Sequence, residues 1–203
     1  VSQVKVYLNS SQAALANRLD RGTSGIVVIG KNKEAILALY NLYKEKKVEK
    51  HYLAIVKGRL SKKSGVLKTY LKRTTEKFQH KMIVVKEKED DAVTAETSYN
   101  VLQESPSYSL LDLRIKTGKM HQIRVQLSNI GHPILGDRIY GDKETNKKYS
   151  TALRHQFLHA WRIRFIHPLT RKEIDITAPL PDDLKQVLLK NFTPNKEWLF
   201  LND

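Results

Sequence analysis

The chain has 203 residues, with 36 Lys and Arg against 21 Asp and Glu, for a net charge of +15. It has no cysteine, which excludes disulfides, zinc–thiolate sites and iron–sulfur clusters and allows a reducing compartment. No apolar run approaches membrane-spanning length, and VSQVKVYLNS lacks the charged-then-apolar layout of a signal peptide, so a soluble cytoplasmic protein is expected. A chain of this length buries roughly 70% of its unfolded surface, enough for one core, and one domain over 1–203 is expected. The cationic excess suits a polyanion, because each neutralised phosphate releases condensed counterions. Charge alone leaves RNA and DNA open, and a basic protein with no special ligand is the plain alternative.

The first unusual stretch is NRLDRGTSG, 17–25, in which Asp20 lies between Arg18 and Arg21 ahead of Gly22, Thr23, Ser24 and Gly25. Read alone it is turn chemistry, since Asp before Gly commonly opens a turn. GIVVIGK, 25–31, is short, apolar and β-branched, and reads as a buried strand. KNKEAILALYNLYKEKKV follows with Ala35, Leu39, Leu42 and Tyr43 at helical spacing and lysines at the negative end of the helix dipole. KHYLAIVKGRL reads as a strand that carries Lys50 and Tyr52.

The middle is strand-rich and charged. GVLKTYLKR, KMIVVKEKED, TAETSYNVLQES and YSLLDLRIKTG read as antiparallel strands, with KEKEDDA as a solvated loop. HQIRVQLSNIG reads as a short helix closed by Gly131 at C′. On that helix His121 and Arg124, at i and i+3, share a face and Gln122 points elsewhere. DKETNKKYS is polar and reads as mobile, FLHAWRIRFIHP as a strand, and DDLKQVLLK as a Pro-bounded helix. His155 and His159 have the i, i+4 spacing of a metal pair, but no glutamate follows His155 and the segment reads as strand, so no metal site is expected. Strands dominate, and the fold class is α+β: a mainly antiparallel mixed sheet flanked by helices, with a central cleft.

Three of these segments together resemble one family. NRLDRGTSG resembles the signature (H)RLDxxTSG of the RluA-type pseudouridine synthases, KHYLAIVKG that family's tyrosine strand, and TGKMHQIRVQLSNIGHPILGDRIYG its TGRxHQIRxHLxxxGHPIxGDxxYG segment. FLHAWRIRFIHPLT with ITAPLPDDL resembles the closing LHAxxLxFxHPxT…xAPLPxD pattern, so the resemblance runs from Asn17 to about Leu188. It implies an RNA pseudouridine synthase acting on ribosomal RNA or tRNA. Uracil leaves C1′ of its ribose, rotates and rejoins through C5, with no cofactor, redox partner or water consumed.

By the same resemblance Asp20 is the catalytic carboxylate, attacking C1′ or removing the C2′ proton. Arg124 would pair with Asp20 through its planar fork. Tyr52 would stack on the uracil and help remove the C5 proton. Arg18 would fill the gap left by the extruded nucleotide. Arg21, Thr23, Lys50, Lys119, His121 and Gln122 are expected RNA contacts, although Lys50 and Lys119 also suit plain solvent exposure.

Asn17 stands where the family usually has histidine, and Lys119 where it usually has arginine. The 16 residues before Asn17 match neither an NKPxG-like segment nor an S4-type domain, so a minimal or trimmed catalytic domain working as a monomer is expected. Two rivals remain. One is an RNA-binding protein that kept the fold without catalysis. The other is a glycoside hydrolase, which would want two carboxylates about the scissile bond, and the signature offers one.

Overall fold

The structure, a computed structural model, describes residues 2–74, 81–87, 89–194 and 198. The chain opens with a short helix, α1 (Ser2–Tyr7), then β1 (Ala14–Leu15), β2 (Ser24–Gly25) and β3 (Ile29–Gly30). Helix α2 (Lys33–Lys44) starts where the Asn32 side-chain oxygen accepts the Ala35 N–H at 2.9 Å, an ordinary N-cap, and buries Leu39. A run of strands follows: β4 (Glu49–Lys57), β5 (Ser64–Arg73), β6 (Met82–Val85), β7 (Val93–Glu104) and β8 (Tyr108–Ile115). Helices α3 (Gln122–Asn129) and α4 (Lys143–Lys148) precede β9 (Leu158–Ile166), β10 (Glu173–Thr177) and α5 (Asp182–Asn191).

The main sheet runs β10–β9–β4–β8–β7–β5–β6, each neighbour antiparallel, and β2 joins β9 in parallel, so the sheet is mixed and mainly antiparallel. Strand β4 is central, which explains its continuous apolar run: Leu53, Ala54, Ile55 and Val56 are all sealed from water. Around them pack Leu110, Leu111 and Leu113 from β8, Phe157 and Leu158, and Leu184, Val187 and Leu188 from α5. Each fully buried side chain of this size contributes about 1.5–3 kcal/mol.

Helix α3 is fastened to the sheet by amides as well as by Ile123 and Leu127. Gln126 accepts from the Thr97 hydroxyl at 2.7 Å and donates toward the Leu67 carbonyl and the Thr69 hydroxyl. Gln122 does the same one turn earlier. Buried amides must be hydrogen-bonded to be tolerated, and these two fix the helix's rotation about its axis. At its C-terminal end Gly131 adopts φ +82°, the expected left-handed C′.

One expectation needs correction, and two elements were not foreseen. GIVVIGK is not one buried strand: Ser24–Gly25 pairs with β9, Ile29–Gly30 pairs with β1, and Val27 between them is exposed. DKETNKKYS holds helix α4, which forms because the Asp142 carboxylate accepts the Thr145 N–H at 2.8 Å and lysines lie at its last turn. The segment holding ITAPL contributes the edge strand β10, hidden in sequence because its side chains are mostly exposed. Residue 88 of the KEKEDDA loop lies outside the described residues.

Candidate active site

A cleft of about 800 Å³ opens between the 15–23 segment, helix α2, strand β4 and the loop leading into α3. It is lined by Asp20, Tyr52, Arg18, Arg21, Thr23, Lys50, Lys119, His121 and Gln122. The structure thus gathers three segments far apart in sequence. Asp20 is the one carboxylate among the described lining residues, and it lies among cations from every wall.

The acid is placed by the turn that follows it. The Thr23 N–H donates to the Asp20 carbonyl at 3.0 Å, and Gly22 takes φ +81°, as the third position of a type II turn requires. A Cβ at Gly22 would sit 2.6 Å from the His155 ring, so the glycine serves both backbone and packing. Beyond the turn, β2 docks on β9 at His159 and Ala160, just past the Arg162–Thr177 end of β10. The Ser24 hydroxyl lies 2.8 Å from His159 Nδ1, whose Nε2 is 3.1 Å from the Ala178 carbonyl. The carbonyl can only accept, so Nε2 carries the proton and Nδ1 accepts from Ser24. Asn17, standing in the signature's histidine position, accepts the Val28 N–H at 2.7 Å and ties the near end of the segment.

Tyr52 lies where the β4–β9 register shifts between His51 and Leu53. Two residues of β9, Ala160 and Trp161, face Tyr52 alone, the geometry of a bulge that re-aims side chains. The Ala160 carbonyl also accepts the Ile26 N–H at 2.9 Å, so this stretch of β9 meets both the tyrosine strand and the acid-bearing segment. Burial, and secondarily the Asp20 charge, push the Tyr52 phenol up to about 12. It stays a neutral phenol across the ordinary pH range.

Arg124 stands behind the acid rather than in the cleft wall, its side chain only 4% exposed. Its Nε and Nη2 donate to Asp137 Oδ2 and Oδ1 at 2.7 and 2.9 Å, and Nη1 reaches Asp20 Oδ2 at 3.3 Å. Asp137 is itself sealed from water and accepts the Ile139 and Tyr140 N–H groups at 2.9 and 3.1 Å. Burial opposes its charge, but the Arg124 fork and these amides outweigh it and hold the Asp137 carboxyl below its ordinary range. The Arg124 guanidinium also lies over the Tyr140 ring at 5.3 Å.

His121 precedes α3 in the left-handed region, φ +53°. The Tyr140 hydroxyl accepts the Met82 N–H at 2.7 Å and stands 3.0 Å from His121 Nδ1. Burial, with the Arg124 charge beside it, lowers the His121 pKa and keeps the ring neutral.

The expected RNA contacts divide. Arg18, Arg21 and Lys119 are exposed, and among the described residues their side chains have no protein partner. Thr23 lines the cleft but takes a hydrogen bond from the buried Gln156 amide at 3.0 Å. Lys50 is partly buried, its ammonium 5.5 Å from the Tyr43 ring centre. Gln122 corrects the expectation: it is 3% exposed, and its amide is spent on Thr117, the Lys119 N–H, Thr97 and the Glu96 carbonyl. It braces the loop that presents Lys119 and His121. His155 and His159 belong to the turn packing and the β2 dock described above. Among the described residues no group of acids and histidines has the arrangement of a metal site, and no helix is long and apolar enough to cross a membrane.

Sequence reasoning missed Asp137 and Tyr140, although both stand inside the GDRIYG stretch quoted for the resemblance. Residue type alone gave Asp137 no role, because its partner lies one loop away on α3. Tyr43 was counted as an apolar helix position, and its place in the cleft wall was not foreseen.

Known proteins bear on this geometry. A family model described as RNA pseudouridylate synthase matches residues 2–129. Ribosomal large subunit pseudouridine synthase C of Haemophilus ducreyi is 38% identical over 177 residues, covering 87% of this chain and 54% of its own length. Ribosomal large subunit pseudouridine synthase D of Nitrosomonas europaea is 37% identical over 182 residues, covering 87% and 51%. The solved structure of human RNA pseudouridylate synthase domain containing 1 superposes with a TM-score of 0.75 at 26% identity, over 89% of this chain and 74% of that one. The chain spans about half the length of the curated relatives it matches.

Proposed function

This chain belongs to the RNA pseudouridylate synthase family, and we propose that it isomerises uridine to pseudouridine in structured RNA, with large-subunit ribosomal RNA as the substrate class. The relatives' names supply that class, and the cationic cleft suits it. The observation that carries the reading is the Asp137–Arg124–Asp20 chain, which aims the one lining carboxylate among the described residues into a cleft that also holds arginines, lysines and tyrosines.

In this reading the target uridine is extruded into the cleft, at a cost of about a few kcal/mol, and Arg18 occupies the vacancy in the stack. Asp20 acts on the sugar, at C1′ or at the adjoining C2′ proton, and the C1′–N1 bond breaks. Tyr52, a neutral phenol, packs against the freed uracil as it turns. C5 then bonds to C1′, C5 loses its proton and N1 gains one, so atoms and electrons balance without redox partner or water. Asp20, released from the sugar, is the lining carboxylate positioned to take the C5 proton. The chemistry calls for no cofactor, and because one chain supplies every group, it works as a monomer, in the cytoplasm where ribosomal RNA is met.

A non-catalytic RNA-binding protein would have no use for a buried fork that orients one carboxylate. A glycoside hydrolase would want a second acid in the wall. The test is Asp20→Asn on large-subunit ribosomal RNA transcribed in vitro. Pseudouridine formation should vanish while RNA affinity stays within a few-fold; turnover at the wild-type rate would overturn the assignment.

A further inference from the structure

One wall of the cleft has no part in this scheme. Helix α2 turns Tyr40, Tyr43 and Lys44, at i, i+3 and i+4, toward the same cleft, and Lys50 stands next to them on β4. Tyr40 is 60% exposed, a large aromatic left open to solvent at the cleft. The Tyr43 hydroxyl is closed off from water and has no hydrogen-bond partner. The Lys50 ammonium rests 5.5 Å from the Tyr43 ring centre, and among the described residues it has neither ion pair nor hydrogen bond. Burial lowers its pKa, the response of a cation that lacks a counter-charge. An uncompensated, partly buried ammonium costs stability in the unliganded protein, and an incoming anion relieves it.

We propose that this wall is a second nucleotide subsite, which holds the nucleotide next to the target: Lys50 takes a phosphodiester oxygen, Tyr40 stacks on the base, and the Tyr43 ring backs the ammonium. Lys44, exposed one turn from Tyr40, adds to the attraction for the strand. The ligand chemistry is single-stranded RNA, since an aromatic face with an ammonium beside it reads a splayed nucleotide and not a closed duplex. The inference rests on the RNA reading above. It adds a strand direction: the chain leaves Asp20 along α2.

The test uses a decamer of uridine as probe, with binding followed by fluorescence anisotropy, and thermal unfolding recorded for each variant. Tyr40→Ala should weaken binding roughly tenfold through lost stacking. Lys50→Met should lower the salt slope by about 0.7. Tyr43→Phe removes only a sealed, unpartnered hydroxyl and should bind as the wild type does while raising Tm by about 2 °C. Tyr7→Ala, an exposed tyrosine on α1 outside the cleft, should also bind as the wild type does. Binding by Tyr40→Ala and Lys50→Met within twofold of wild type would overturn the subsite. Pseudouridine formation by the wild type on ribosomal RNA is scored separately. If that fails while Tyr40→Ala and Lys50→Met still lose binding, the subsite stands and the isomerase reading falls.

Discussion

Arg124 gives two of its three nitrogens to Asp137, at 2.7 and 2.9 Å, and the third to Asp20 at 3.3 Å. The shorter bonds are to the residue that does not face the cleft. The guanidinium is therefore pinned from behind, and Asp20 reads its orientation from a group that cannot drift. Asp20 Oδ1 has no protein partner among the described residues, which leaves it for a substrate atom.

Arg124→Lys keeps the charge and loses the fork. A lysine ammonium can reach Asp137 or Asp20 but cannot bridge both in plane. Single-turnover pseudouridine formation should fall roughly 100-fold, the usual cost of a misplaced reacting group. RNA affinity should move far less. A defect confined to affinity would disprove the positioning role.

Asp137→Ala leaves a buried guanidinium with one distant partner and orphans the Ile139 and Tyr140 amides. Removing one member of a buried pair costs about 3–5 kcal/mol, and urea denaturation should show a loss of that size. A loss under about 1 kcal/mol would mean that Asp20 alone satisfies Arg124.

His159 gives stability a pH dependence. Burial lowers its pKa from the ordinary 6.5, against the smaller pull of the Ala178 carbonyl. The unfolded chain takes up the proton first, so this contribution is whole above pH 6.5 and declines as the pH falls through that value toward the folded pKa. His121 acts in the same direction. Denaturation midpoints should drop between neutral pH and the mid-acid range, and His159→Gln, which cannot titrate, should flatten the slope. An unchanged slope would place the titration elsewhere.

Salt reports on the lining cations. Arg18, Arg21 and Lys119 are exposed at the cleft, and if they meet phosphates, RNA affinity should fall about tenfold or more between roughly 50 and 200 mM salt. A flat response would remove the electrostatic part of the function.

What the sequence discloses depends on how local each constraint is. The strands from β4 to β8 are legible because side-chain alternation and burial are written residue by residue. Asp20, Tyr52 and Arg124 are legible only through motif spacing, since their meeting depends on three segments brought together by the sheet. Asp137 is opaque for the same reason: its partner lies 13 positions earlier on α3. Gln122 misleads because a polar residue in a basic stretch looks solvated, whereas here Thr97 and Thr117 offer it buried partners. Helix α4 is opaque because KETNKK has no apolar stripe, and its one signal is the Asp142 cap.

The dock of Ser24 on His159 spans 135 positions of chain. A growing polypeptide exposes its arginine-flanked acid early, yet that acid has no fixed address until the late strand emerges to receive it. Contacts so distant in sequence form slowly and close last. The acid therefore gains its final place only once β9 has been made, and a product terminated before that strand would carry the signature motif without the dock that positions Asp20.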